Sequence, residues 1–234
     1  MNKLDPSLIA DLPPFAGIAH ADLGPLLAQA KVSRVAKGER IFRQGDHATS
    51  FFLLLDGTIR VVKTTPDGEQ IIVRFIVTGE LFGLSQALGF TEYPANTIAA
   101  LDCIVLTWPN AIWAETIAKY PTFAANTYKT IGIRLQESQD RIMEMATERV
   151  EQRVASAIVK LTQQTGQNTE DGILIGFPIS RQDISEMTGT TLHTVSRLLS
   201  NWEQNGLVKS GRRKITVSKR QALELIASGG HSAI

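Results

Sequence analysis

Apolar and polar positions follow several rhythms along the chain, and each change of rhythm predicts a change of element. From Pro6 to Ala30 apolar residues recur at helical spacing, interrupted by Pro13-Pro14, which predicts one or two short helices. Between about Val32 and Trp108 the pattern becomes short runs of β-branched and aromatic residues. Lys37-Gly38, Gln44-Gly45-Asp46, Asp56-Gly57, Pro66-Asp67-Gly68 and Gly79 separate those runs, as turns do in a compact antiparallel sandwich or barrel. Phe51 to Leu55 is continuously apolar and reads as a core strand, while Ile59 to Lys63 and Gln70 to Val77 flank the hairpin at Pro66-Asp67-Gly68.

Helical spacing returns at Asn110. A short helix to Tyr120 precedes a longer one that opens at Pro121, whose fixed φ suits a first helical position. Along the longer helix Tyr128, Ile131, Leu135, Ser138, Ile142 and Met145 alternate spacings of three and four, the seam of a two-stranded coiled coil. The same stripe fits a helix laid on its own barrel, but its strictness and length favour a symmetric homodimer. The seam ends at Ala146-Thr147, where a hinge is expected. Val150, Val154, Ala157, Ile158 and Leu161 then mark a further helix to Gly166, and Gly172 to Ile175 with Phe177-Pro178 predict a small hairpin.

The stretch from Ser180 to Val208 predicts two short helices joined by a glycine turn. Ser180 and Asp183 have capping-box spacing, and the first helix runs to about Met187. Gly189 supplies positive φ, Thr190 or Thr191 caps the second helix, and Gly206 ends it. At 100° per residue Leu192, Val195, Leu198, Leu199 and Trp202 share one side, while His193, Ser196, Arg197, Ser200 and Gln204 share the other. One side packs and the other is free to face a major groove. Alone, this pattern also fits an ordinary amphipathic helical hairpin. The next residues favour DNA: Lys209, Arg212, Arg213, Lys214, Lys219 and Arg220 occur with no acidic residue among them. Ser210-Gly211 lies between Leu207-Val208 and the alternating Ile215-Thr216-Val217, which predicts a basic-tipped hairpin, or wing. Basic groups beside a helical hairpin are what phosphate contact requires. The expected fold class is α+β. Residues 1–109 form an N-terminal antiparallel β-barrel, residues 110–146 a helical dimerisation segment, and residues 147–234 a winged helix-turn-helix.

Composition narrows the function classes. The 234 residues suffice for two ordinary domains without disulfides or metals. The net charge of +1 argues against a generic polyanion binder. Its distribution is more informative: from Ala146 onward 11 Lys and Arg face 8 Asp and Glu, whereas before it 13 face 15. The single Cys103 excludes an intramolecular disulfide and any four-cysteine zinc or iron–sulfur site within one chain. Neither an apolar leader nor a membrane-length apolar run is present, so a cytoplasmic protein with no membrane partner is expected. A barrel enzyme of the cupin kind would need clustered ligands. The barrel offers His47 alone, and no serine, cysteine or lysine has an evident activating partner, so catalysis is not expected.

Several fragments, in order across nearly the whole chain, resemble the Crp/Fnr superfamily of bacterial transcription regulators. They are Lys37-Gly38-Glu39 with Gly45-Asp46, Phe52 to Gly57 with Ile59-Arg60-Val61, Gly79 to Gly83, and Arg181 to Ile184 through Thr194 to Arg197. The resemblance implies a cyclic-nucleotide-binding-like N-terminal domain and a dimer on double-stranded DNA with a two-fold symmetric site. Base contacts fall to Leu192, His193, Ser196 and Arg197, with Arg197 matching the family's guanine-reading arginine. Arg181, Thr191, Ser200, Lys209, Arg212, Arg213 and Lys214 are the expected phosphate contacts. Ser196 before Arg197 is similar to the Fnr side of the family. His193 stands where a glutamate commonly accepts from cytosine N4, and an imidazole offers different hydrogen bonds, so the preferred base should differ there.

The effector side departs further from the family pattern. Cyclic-nucleotide-binding members carry an Arg-Ser or Arg-Thr pair where this chain has Tyr93-Pro94, which supplies no cationic fork. Cyclic AMP is therefore not expected despite Glu80, and the cysteine count leaves no iron–sulfur cluster. Phe52 to Gly57, Tyr93 to Asn96 and Gly189 to Thr194 look like the NnrR type, regulators of nitrogen-oxide and anaerobic metabolism. That likeness implies nitric oxide as effector and haem as sensor, while the family as a whole implies RNA polymerase as partner, with activation as the expected sense of control. Glu80, Phe82, Tyr93 and Asn96 are the expected effector-pocket residues. A haem iron needs an axial donor, and His20, His47, a methionine, a tyrosine, Cys103 and the N-terminal amine all qualify, so the metal ligand stays unknown. A regulator answering to another small ligand, or to none, fits the same residues.

Overall fold

The computed structural model describes residues 4–230, which cluster into two compact units. Of these, residues 4–68 and 74–137 form the first, and residues 69–73 and 138–230 the second.

The first unit opens with α1 (Ser7–Ala10) and α2 (His20–Leu27). Eight strands follow: β1 (Lys31–Val35), β2 (Arg40–Phe42), β3 (Ser50–Asp56), β4 (Thr58–Thr64), β5 (Gln70–Val77), β6 (Leu81–Phe82), β7 (Asn96–Ala99) and β8 (Cys103–Pro109). Next come α3 (Trp113–Lys119) and α4 (Pro121–Thr147), whose residues from Ser138 onward belong to the second unit. The strands form two four-stranded sheets, ordered β1-β8-β3-β6 and β2-β7-β4-β5, so the expected barrel is a two-sheet sandwich. The continuous apolar run in β3 follows from burial on both faces. Phe52 and Leu54 join Ile59, Phe82, Tyr93 and Ala99 in one core, while Phe51 and Leu53 join Leu23, Trp108 and Phe123 in another. Trp108 Nε1 donates to the Leu26 carbonyl at 2.9 Å and ties α2 to β8. The turn from β3 to β4 requires glycine: Gly57 has φ +101°, and a Cβ there would lie 2.6 Å from the Asp102 carbonyl oxygen and 2.7 Å from Cys103 Sγ.

The second unit contains α5 (Val150–Thr165), β9 (Gly166–Thr169), β10 (Gly172–Ile175), α6 (Arg181–Thr188), α7 (Leu192–Gln204), β11 (Val208–Gly211), β12 (Lys214–Val217) and α8 (Arg220–Ala227). Its sheet has the order β11-β12-β10-β9. The small hairpin differs from expectation. Gly172–Ile175 pairs with Gly166–Thr169, and Phe177-Pro178 lies beyond it. All four residues of β9 are exposed and polar or glycine, so the strand has no hydrophobic pattern to read. Helix α8 was not foreseen. Arg220 is its first residue rather than part of the wing, and it buries Leu223 and Ile226.

Helix α4 runs unbroken to Thr147, and α5 begins at Val150 behind an extended Arg149 with φ −69° and ψ 155°. The change of direction therefore falls at Glu148-Arg149, two residues past the expected hinge. Along α4, Tyr128, Leu135, Ile142 and Met145 are exposed, Leu135 by 60% and Ile142 by 68%. Ser138 is also exposed, while Ile131 is partly buried against the core of the first unit.

Candidate DNA-reading surface and effector half

Helices α6 and α7 are fixed at their ends by bonds their sequences supply. Ser180 Oγ accepts from Asp183 N at 3.0 Å, and Asp183 Oδ2 accepts from Ser180 N at 2.7 Å. This reciprocal cap is worth about 1 kcal/mol. Gly189, with φ +61°, closes α6, and Thr191 Oγ1 accepts from Thr194 N at 3.1 Å to start α7. At the far end Gly206 N donates to the Glu203 carbonyl at 3.0 Å and Leu207 N to the Trp202 carbonyl at 2.8 Å, a Schellman closure. Trp202 Nε1 donates to Glu151 Oε1 at 3.2 Å, anchoring α7 to α5.

The two faces of α7 then separate. Val195, Leu198, Leu199 and Trp202 are buried, whereas His193, Arg197, Ser200 and Gln204 are exposed and Ser196 is partly so. Leu192, which helical spacing assigned to the packing side, is 47% exposed. It lies in the first turn of α7 and lines a cleft with Arg181, Gln182, Ser210 and Arg213. The side chains of His193 and Arg197 have no hydrogen bond or ion pair among the described residues.

The wing turns at Arg212-Arg213, since Gly211 already pairs with Lys214, and not at Ser210-Gly211 as expected. Arg213 takes φ +61°, a conformation that costs an L-residue roughly 1–2 kcal/mol. Its carbonyl accepts from Ile179 N at 3.1 Å, which holds the turn to the segment before α6. At the wing root the Glu203 carboxylate accepts from Ser210 N at 2.9 Å and Ser210 Oγ at 3.0 Å. These bonds, the backbone one foremost, hold its pKa below the usual carboxylate value. Arg181 donates to Ser210 Oγ at 3.3 Å. Lys209 pairs with Asp171, but both groups are largely exposed and the pair adds little stability. Arg212, Arg213 and Lys214 are exposed at the tip with no side-chain partner among the described residues.

Two contacts had no signal in the sequence. Met145 lies against the turn between α6 and α7, where a Cβ on Gly189 would come 2.6 Å from Met145 Cε. Arg153 bridges the Thr188 carbonyl at 3.2 Å and the Glu148 carbonyl at 2.9 Å, tying the end of α6 to the segment joining α4 and α5.

In the first unit the expected pocket residues separate. Phe82 and Tyr93 belong to one aromatic cluster: Tyr93 stacks on Phe42 at 3.8 Å between centroids, and Phe82 on Phe52 at 5.1 Å. Tyr93 Oη donates to the Ser50 carbonyl at 2.8 Å and accepts from Ser50 N at 3.1 Å, and burial pushes its phenol pKa up. Asn96 instead bridges Gln44 N at 3.1 Å, the Val62 carbonyl at 3.3 Å and Thr64 Oγ1 at 3.2 Å. Glu80 pairs with Arg74 and with Arg134 of α4 at 3.0 Å, and Arg134 also donates to the Leu81 carbonyl at 2.6 Å. Burial, followed by repulsion from Arg74, lowers the Arg134 pKa to about 10 against the opposing pull of Glu80, so it remains a cation at neutral pH. Cys103 is buried and donates to the Leu101 carbonyl at 3.2 Å and the Thr58 carbonyl at 3.5 Å. Burial pushes its thiol up, which suits a packed neutral side chain. A cleft of about 840 Å³ on this unit is lined by arginines, carboxylates and apolar residues, with no histidine, cysteine, methionine or tyrosine.

A two-sheet sandwich with a cleft, and a helix-turn-helix whose outer face is exposed beside a basic wing, define a DNA-binding regulator with an effector-binding domain. Residues 32–120 match the cyclic nucleotide-binding domain, and residues 152–226 match the Crp-like helix-turn-helix domain. The cyclic AMP receptor protein of Thermus thermophilus is 28% identical over 217 residues, 93% of this chain and 97% of the relative. The fumarate and nitrate reduction regulatory protein of Escherichia coli is 26% identical over 198 residues, 85% of this chain and 78% of the relative. The structure of FixK2 from Bradyrhizobium japonicum shares the fold with a TM-score of 0.75 at 23% identity, covering 88% of this chain and 99% of that one. The chain belongs to the Crp/Fnr family of transcription regulators. No helix among the described residues is long and apolar enough to cross a membrane.

Proposed function

We propose that the protein acts as a homodimer whose paired α7 helices read two half-sites of a symmetric DNA site. Leu192, His193, Ser196 and Arg197 meet base edges, and Arg181, Thr191, Ser200, Lys209, Arg212, Arg213 and Lys214 meet phosphates. The observation carrying this reading is the exposed, unpartnered His193–Arg197 face on a helix fixed at both ends. Dimerisation runs through the α4 seam of Tyr128, Ile131, Leu135, Ser138, Ile142 and Met145. Met145 against Gly189 gives that seam a direct mechanical route to the reading helices. Enrichment of bound duplexes from a random pool tests the reading. A two-fold symmetric motif with guanine in each half is expected; a pool that yields no symmetric motif would overturn it.

The finer assignments rest on the family resemblance. It suggests RNA polymerase as partner, activation as the sense of control, and nitric oxide as effector with haem as sensor. The donors singled out by number do not meet in the cleft of the first unit. Cys103 is a packed thiol with raised pKa, His20 and His47 are exposed, and the cleft of the first unit presents no axial ligand. The N-terminal amine lies outside the described residues. No group of three or more histidine, cysteine, aspartate or glutamate side chains suited to a metal occurs among the described residues. No step of the proposed function therefore passes through haem, and the N-terminal domain is read as answering to a small ligand.

A further inference from the structure

We infer that the outer face of the β2-β7-β4 sheet binds a small polyanion, a molecule bearing two or more phosphate or carboxylate groups, in a cleft walled by Arg40, Arg43 and Arg60. Strand register places these groups. Arg40 of β2 and Arg60 of β4 each pair with Ile98 of β7, so the three residues form one row across the sheet. Residues directly opposite in an antiparallel pair share a face. Their neighbours Ile59 and Ala99 belong to the core between the sheets, so the Arg-Ile-Arg row lies on the opposite, outer face. Strand spacing separates the two arginine Cα atoms by roughly 10 Å. Ile98, only 8% exposed, forms an apolar floor between them, and Arg43 adds a third guanidinium to the same cleft.

Two carboxylates, Glu39 and Asp46, line the cleft beside the three arginines. Glu39 Oε2 accepts from Ala36 N at 2.8 Å and Asp46 Oδ2 from Arg43 N at 2.9 Å, so each carboxylate closes a backbone turn. The guanidinium groups of Arg40 and Arg43 have no hydrogen bond or ion pair among the described residues. Arginine forks match phosphate and carboxylate oxygens in pairs, so the guanidinium groups of Arg40 and Arg43 are open to an arriving anion. A volume of about 840 Å³ accommodates a small molecule with an apolar body over Ile98. The cleft shares Phe42 with the aromatic core that holds Phe82 and Tyr93, and its occupancy does not depend on how the protein reads DNA.

Isothermal titration calorimetry of the full chain with sodium pyrophosphate and with citrate, at constant ionic strength, tests the inference. The exposed wing is a second anion attractor, so the titrations use the Arg212→Ala/Arg213→Ala/Lys214→Ala background. Saturable binding of at least one probe is expected. It should weaken about tenfold or more in Arg40→Ala/Arg43→Ala, as loss of charged hydrogen bonds implies. Arg34→Ala, which removes an exposed arginine from β1 in the other sheet, should leave it unchanged. Arg40→Gln/Arg43→Gln keeps the aliphatic stems, so the same loss in that variant, with an unchanged melting temperature, excludes a folding defect. Absence of saturable heat with both probes, or equal binding by the parent and both double variants, would overturn the site.

Discussion

Replacing Arg197 with alanine is expected to abolish preference for guanine at one position of each half-site while leaving general affinity for duplex DNA largely intact. Arg197 is exposed on α7 and has no partner among the described residues, so its removal leaves no buried group unsatisfied. The helix beneath it keeps its caps, and the wing keeps Arg212, Arg213 and Lys214. A bidentate arginine–guanine contact contributes roughly 1–3 kcal/mol of discrimination, about 5- to 150-fold in relative affinity. Fluorescence anisotropy on the enriched duplex and its single-base variants reads that ratio directly. The slope of affinity against salt should barely move, because that slope counts phosphate contacts. Uniform weakening on every sequence would instead make Arg197 a phosphate contact.

The second large effect is expected at the seam. Leu135→Glu with Ile142→Glu should yield a monomer at micromolar concentration and lower affinity for the symmetric site by orders of magnitude. Both side chains are exposed on the single chain, so the substitutions should cost the protomer's own stability little, within about 0.5 kcal/mol each. In a two-fold dimer each is buried twice, at roughly 1.5–3 kcal/mol per side chain, and a pair of facing glutamates adds repulsion. Sedimentation velocity reports the oligomeric state, and thermal unfolding confirms that the protomer survives. A variant that remained dimeric would remove α4 from the interface.

Much of this architecture was legible because its local signals agree with one another. Ser180 with Asp183, Gly189, Thr191 and Gly206 occupy the positions that helix ends demand, and each forms the bond its type suggests. The β3 run was recognisable as a core strand because burial on two faces removes the alternation a half-exposed strand would show. Other features depend on partners remote in sequence. Strand β9 is polar and exposed, and only its pairing with β10 makes it a strand. The wing turn moved to Arg212-Arg213 because the Ile179 amide holds the Arg213 carbonyl, outweighing the local preference for a glycine turn. Glu80 resembles a ligand-binding carboxylate in the sequence, yet Arg74 and Arg134 claim it, and Arg134 lies 54 residues away. The arginine row on the outer sheet is equally invisible along the chain, since Arg40, Arg60 and Ile98 meet only through strand register.

The most direct measurement is a hydroxyl-radical footprint of the wild-type protein on the enriched duplex, with the bound stoichiometry determined in parallel. A dimer presenting two reading helices should protect two symmetric blocks on one side of the duplex, centred about one helical turn, roughly 34–36 Å, apart, with two protomers bound. A single protected block bound by one protomer, or uniform protection independent of sequence, would contradict the account.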